Sequence, residues 1–159
     1  MDSVIVNANR IPINLFNNPS SISLVSKEML YNIPKTIGAE EALHFVPGVR
    51  IDNQHAGERV HISIRGQGIL TERGLRGIGV LVDGIPLNDP SGFAPDLYDI
   101  DWANAKSIEV LRGPSAGLYG GAASAGMILI NTENGNSKPI GGRISQIIGS
   151  NGFTKSYLQ

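Results

Sequence analysis

Gly113-Pro114-Ser115-Ala116-Gly117 fits the G-x-S-x-G spacing that presents a nucleophilic serine on a sharp strand-to-helix turn. It follows an apolar run, Ile108 to Leu111, as such an elbow requires. Acyl transfer on that elbow needs a substantial helix behind the serine and a histidine base later in the chain. The stretch from Gly117 to Gly126 carries four glycines, which oppose a long helix. All three histidines (His44, His55 and His61) precede Ser115. The motif is therefore expected to be a structural turn. His55 and His61 have no third ligand at a spacing that suits a metal and read as strand-face or surface histidines. Asp96, Asp99 and Asp101 do not fit the twelve-residue calcium loop and read as a helix-start acidic cluster. Gly66-Gln67-Gly68 lacks the third glycine of a dinucleotide fingerprint, and no glycine loop is followed by Gly-Lys-Ser/Thr. No catalytic site, metal centre or cofactor is expected, and the chain does not read as an enzyme.

The elements that carry these residues belong to one ordinary domain of 159 residues. With 13 basic against 14 acidic residues the net charge is −1, which gives no electrostatic basis for binding nucleic acid or an anionic membrane surface. The absence of cysteine excludes a disulfide scaffold, a thiol nucleophile and thiolate zinc sites. No apolar run approaches the roughly 20 residues of a spanning helix, and no signal-peptide pattern opens the chain. Met1 reads as an expression start or a trimmed terminus. Twenty glycines point to a turn-rich sheet with modest helix content.

Along the chain, Val4-Ile5-Val6 is a short β-prone run with no partner close in sequence, and Pro12 to Pro19 reads as an irregular connector. Ile22 to Val25 alternates briefly. Ser26 is placed to cap a short helix through Tyr31 with Glu28 in its first turn. Ala39, Ala42, Leu43 and Val46 fall on one helical face that Pro47-Gly48 ends. Strands are expected at Val49 to Ile51 and Val60 to Ile64. The best hairpin is Val80-Leu81-Val82, Asp83-Gly84, Ile85-Pro86-Leu87, in which Asp-Gly supplies positive φ angles and Pro86 confines the return strand to an edge. Gly66 to Gly79 and Asn88 to Asp101 are long loops, and a helical turn near Trp102 to Ala105 follows the second. Ile108 to Leu111 and Met127 to Ile130 are buried strands around the Gly/Ala/Ser connector. Gly142 to Ile148 and Phe153 to Gln159 form a last hairpin, which is marginal alone and is expected to belong to a larger sheet.

Taken in order, these segments resemble the plug domain of TonB-dependent outer-membrane receptors. Val4 to Arg10 resembles that family's opening strand, and the helix from Ala39 closed by Pro47-Gly48-Val49 is similar to its helix and PGV turn. Ile64-Arg65-Gly66 matches its IRG, and Val80 to Pro86 (VLVDGIP) its VLVDGVP hairpin. Ile108 to Thr132 follows IEVLRGPASALYGSGAVGGVINI, with Arg112-Gly113-Pro114 and Leu118-Tyr119-Gly120 intact. The resemblance covers roughly Val4 through Thr132.

The resemblance implies an α+β plug domain with a small mixed β-sheet, short helices and long loops. Residues 1–8 are either a TonB-box-like segment or the first plug strand, 9–133 the plug, 134–139 a linker, and 140–159 the start of a truncated β-barrel. It implies gating in a bacterial outer-membrane receptor that imports a scarce ligand such as a ferric siderophore or cobalamin, with a periplasmic N-terminus. A free-standing soluble periplasmic binding module with a plug-like fold is the alternative. The expected partners are the receptor's own barrel, the TonB C-terminal domain and an extracellular small molecule. Arg65 and Arg112 are implied to pair with carboxylates of the barrel wall; the other reading has both arginines capping strand ends within the plug. Asp2, Ser3, Val4, Ile5, Val6, Asn7 and Ala8 are the TonB-binding candidates, because strand addition makes little sequence demand. Arg73, Arg76, Phe93 and Tyr98, on the long loops, are the ligand-binding candidates.

Overall fold

The computed structural model describes residues 5–6, 12–32, 38–53, 60–68, 77–88, 97, 100–119, 123–134, 141–142 and 144–158. Its centre is the pair that encloses the glycine-rich connector. β8 (Ala105–Arg112) and β9 (Gly126–Thr132) lie side by side and antiparallel, with Ile108 opposite Ile130 and Arg112 opposite Gly126. Both strands extend beyond the apolar runs that mark them in sequence, because each has neighbours on both edges. β3 (Ser21–Val25) adds antiparallel to β8, and β6 (Ile78–Val82) adds parallel to β9. The Asp83-Gly84 turn, with φ +49 and +82, returns β7 (Ile85–Pro86) along β6 as the outer edge. The result is a five-stranded mixed sheet in the order β3-β8-β9-β6-β7. Pro86 sits on the edge strand, where its missing N–H costs no ladder bond.

Two side chains finish what the strands leave open. Asn88 lies just past β7; its Oδ1 accepts from Val80 N–H at 2.7 Å and its Nδ2 donates to Ile78 O at 3.0 Å. One amide thus satisfies the free edge of β6 where β7 is too short to reach. Asp83 accepts from Thr132 N–H at 2.8 Å and from its Oγ1–H at 2.6 Å, tying the hairpin turn to the last residue of β9.

One face of the sheet carries the main core. Val25, Ile78, Val80, Ile108, Val110, Ile128 and Ile130 are all buried and pack with two short helices and a ribbon. α1 (Lys27–Asn32) contributes Leu30. Its entry is capped as expected: Ser26 Oγ accepts from Met29 N–H and donates to Glu28 at 2.7 Å. That bond holds the Glu28 carboxyl below its ordinary range. α2 (Ala39–Leu43) contributes Ala39, Ala42 and Leu43, and Val46 follows from the turn beyond it; all four sequence-predicted core positions are buried. The ribbon pairs β4 (Val49–Asn53) antiparallel with β5 (Val60–Ile64) and inserts Ile62 and Ile64, both fully buried. The opposite sheet face holds a smaller cluster of Leu81, Leu111, Ala123 and Met127. Glu109, 2% exposed, shares that face and receives Asn131 Nδ2.

Two expectations for the N-terminal region need correction. β1 (Ile5–Val6) does have a partner close in sequence: it pairs antiparallel with β2 (Ile13–Asn14), inside the segment expected to be an irregular connector. Asn14 then turns the chain by accepting Phe16 N–H on its side chain, opening the 3₁₀ turn Leu15–Asn17. A two-residue bridge generates no periodicity long enough to be legible in sequence.

β10 (Ile144–Ile148) and β11 (Thr154–Leu158) form the expected final hairpin, closed through Asn151 and Gly152 at φ +57 and +76. The sequence-predicted linker lies outside the described residues save Asn134.

Gly126 shows how tightly the ribbon meets the sheet. A β-carbon there would lie 2.7 Å from Ile64 Cδ1 and 2.7 Å from Leu111 O. The backbone oxygen is not free to move away. Gly126→Ala is therefore expected to lower stability by about 2 kcal/mol, the ordinary scale of overpacking, read from the urea midpoint. An unchanged midpoint would contradict the close seating of Ile64 on β9.

Candidate functional site

The sheet end where β3 begins and β8 finishes gathers the two arginines singled out in the sequence. β5 ends at Ile64, and Arg65 and Gly66 follow with φ +53 and +79, a pair of left-handed residues that makes a two-residue reversal. Ile64 and Gln67 close it with reciprocal backbone bonds of 2.8 and 3.0 Å. Arg65 N–H donates to Gly48 O at 2.8 Å, which fixes the turn against the end of the α2 segment. The arginine itself therefore occupies a left-handed position that glycine would fill at less cost. Its Nη2 donates to Ser21 Oγ at 2.9 Å.

Arg112 arrives from the other direction as the last residue of β8. Its Nη1 donates to Pro47 O and its Nη2 to Ser23 Oγ at 2.8 Å. The two side chains converge on Gly48: a β-carbon at that position would lie 3.7 Å from Arg65 Cγ and 4.0 Å from Arg112 Nη1. Gly113, at φ +93, leaves Arg65 Nη1 only 3.8 Å from where its own β-carbon would stand. Glycines at 48 and 113 thus take left-handed turns beside the two arginines, where it is the backbone angle and not the space that favours glycine.

The electrostatics of this end are unbalanced. Burial, and secondarily the neighbouring Arg65 charge, lower the Arg112 pKa below its ordinary value. The guanidinium stays charged regardless. Among the described residues, the salt bridges are Lys27 with Glu133 and Arg50 with Asp52, and neither involves Arg65 or Arg112. Both arginines are oriented by neutral acceptors, and Arg112 Nε is buried without a hydrogen-bond partner among the described residues. Such a pair can recognise a carboxylate or similar anion through bidentate, charge-assisted bonds.

Ser21, Ser23 and the carbonyl of Pro47 were not legible as arginine partners. The available signal was the alternation on β3: Ser21 and Ser23 share the face of buried Val25, where apolar residues would be expected. The other site candidates fare differently. Ile5 is exposed and Val6 is 1% exposed, both in β1; Asp2, Ser3, Val4, Asn7 and Ala8 lie outside the described residues. Arg73, Arg76, Phe93 and Tyr98 lie outside them too, as do His55, Asp96 and Asp99. Ser115 falls in the 3₁₀ segment Pro114–Tyr119, not ahead of a long α-helix. Among the described residues no three His, Cys, Asp or Glu side chains gather to hold a metal.

Comparison with known proteins gives the same outline. A sequence profile described as the TonB-dependent Receptor Plug Domain matches residues 14–127. The chain is 33% identical over 140 residues to the vitamin B12 transporter BtuB of Vibrio vulnificus, covering 85% of this chain and 21% of that protein. It is 33% identical over 126 residues to the probable TonB-dependent siderophore receptor PirA of Acinetobacter baumannii, covering 70% of this chain and 16% of that one. The fold matches the pyoverdine outer-membrane receptor FpvA of Pseudomonas aeruginosa with a TM-score of 0.74 at 18% identity, over 97% of this chain and 21% of that structure. The chain thus spans about a fifth of the length of these relatives.

The charge of Arg112 is not the whole of its role, because its planar fork reaches Pro47 O and Ser23 Oγ together. Arg112→Lys keeps the charge and loses the fork, and is expected to lower stability by about 1 kcal/mol. Chemical denaturation of the chain measures this. Equal midpoints for arginine and lysine would mean that the two bonds contribute nothing.

Proposed function

Because the chain belongs to the TonB-dependent receptor plug domain family, we propose that it gates an outer-membrane receptor that imports a scarce ligand such as a ferric siderophore or cobalamin. Residues 1–8 hold the first plug strand, 9–133 are the rest of the plug, 134–139 the linker, and 140–159 the first strands of the surrounding barrel. The domain performs no chemistry: it occludes the pore, meets ligand on the outer side and is acted on from the periplasm. Arg73, Arg76, Phe93 and Tyr98 would meet the ligand, since arginine and aromatic side chains suit an anionic or aromatic chelate. Relatives named for vitamin B12 and for siderophores support this range of cargo.

The observation that carries the proposal is the arginine pair. Arg65 and Arg112 converge at one sheet end, held by neutral acceptors and facing no carboxylate among the described residues. In the assembled receptor the carboxylates come from the barrel wall, which fixes the plug's orientation by bonds that a mechanical pull can break without covalent chemistry. TonB is the proposed source of that pull, through its C-terminal domain. The burial of Val6 and the pairing of β1 with β2 support the reading of Ile5 and Val6 as the first plug strand.

In the full-length receptor, Arg65→Ala and Arg112→Ala are each expected to reduce uptake of radiolabelled cobalamin or ferric siderophore roughly tenfold, as loss of a desolvated charge pair allows. They should also raise sensitivity to antibiotics too large for a plugged pore. Unchanged uptake and unchanged sensitivity in both variants would contradict the docking role and leave the arginines as strand-end caps.

A further inference from the structure

The β10–β11 hairpin sets three large apolar side chains on one face and its lysine on the other. Its register sets Ile144 opposite Leu158, Gln146 opposite Ser156 and Ile148 opposite Thr154. Directly opposed residues of an antiparallel pair share a face, so these six form one surface. That surface carries no charged residue. Its three large apolar side chains stand 80%, 77% and 76% exposed at Ile144, Ile148 and Leu158. The other face places Ile147 opposite Lys155, both half-buried. The one charged side chain among the described residues of these strands is thus on the more covered side. The turn beyond is polar and exposed through Ser150, Asn151 and Gly152.

We propose that the surface of Ile144, Gln146, Ile148, Thr154, Ser156 and Leu158 meets the acyl chains of the outer membrane, while Ile147 and Lys155 look into the lumen. This rests on the reading of residues 140–159 as the first barrel strands. It adds which of the two faces is outside, a choice that family membership does not make. Strands in a closed membrane barrel alternate between lipid and lumen, and a lysine is disfavoured on the lipid side. Lys155 therefore faces inward, and with it the whole register is fixed, because a slip of one residue would exchange the two faces. The five pairs cover roughly 17 Å of strand. That is the half of a tilted crossing nearest the turn, which in turn reaches water. The relatives are about four times as long as this chain, which leaves ample sequence for the strands that would flank the hairpin.

The test uses the full-length protein in native outer-membrane vesicles. Single cysteines, introduced in turn at 144, 146, 148, 156 and 158 and at 147 and 155, carry a nitroxide. Collision with oxygen, which concentrates in hydrocarbon, is compared with collision with a water-soluble nickel chelate. The oxygen-to-nickel ratio is expected to be at least about fivefold higher at the first five positions than at 147 and 155. A reversed ratio would overturn the face assignment and keep the barrel reading. High nickel access at all seven positions would overturn both. Shielding from both reagents on the first face, the mark of cover by a second copy or another protein segment, would also overturn the lipid assignment. Ile144→Lys, on the proposed lipid face and farthest from the turn, and Ile147→Lys supply a second measurement. The first is expected to reduce the yield of heat-modifiable barrel several-fold and the second to leave it within about twofold; equal losses would contradict the proposal.

Discussion

The antiparallel contact of β8 with β9 is the constraint on which the rest of the molecule depends. It places Arg112 opposite Gly126 at one end and Ala105 opposite Thr132 at the other. The first end needs a partner strand without bulk, because Ile64 of the ribbon and the Leu111 carbonyl already occupy the space a side chain at 126 would take. Seating of the ribbon on that glycine brings the Arg65 turn alongside Gly48 and Arg112. The second end is tied by Asp83 to Thr132, by Glu133 N–H to Asn104 O, and by the Lys27–Glu133 ion pair. Tertiary contacts, packing at the first end and polar bonds at the second, make both ends what they are.

A like-charged pair at the first end works against the isolated fold. Burial takes the Arg112 guanidinium out of water, and the Arg65 charge brought to the same glycine adds a smaller repulsion to that cost. The fold meets it with polar acceptors on β3 and at Pro47, and with left-handed backbone at Gly48, Arg65, Gly66 and Gly113. Local rules broken together in one place are the expected mark of a site that serves something other than stability. A partner that balanced such a pair would be anionic, and in the proposed receptor the barrel wall would supply it.

Long periodic segments were legible in the sequence, and short or tertiary features were not. The helical face of Ala39, Ala42, Leu43 and Val46, the Asp83-Gly84 hairpin and the paired strands around the glycine connector all have their predicted places. The bridge between β1 and β2 was missed because two residues cannot establish a period. The convergence of Arg65 with Arg112 was invisible for a different reason. They lie 47 positions apart in sequence and meet only because the ribbon folds onto β9. Asn88 acting as a stand-in strand for β6 belongs to the same class: nothing in its neighbours shows where its amide will point.

Acidic groups of a barrel are proposed to complete the arginine end of the plug, and a high-resolution structure of the full-length protein would show them. Both guanidinium groups are expected within hydrogen-bonding distance of barrel carboxylates, with Arg112 Nε satisfied there. Arginines bonded only to Ser21, Ser23 and Pro47, with no barrel acid near them, would contradict the proposal.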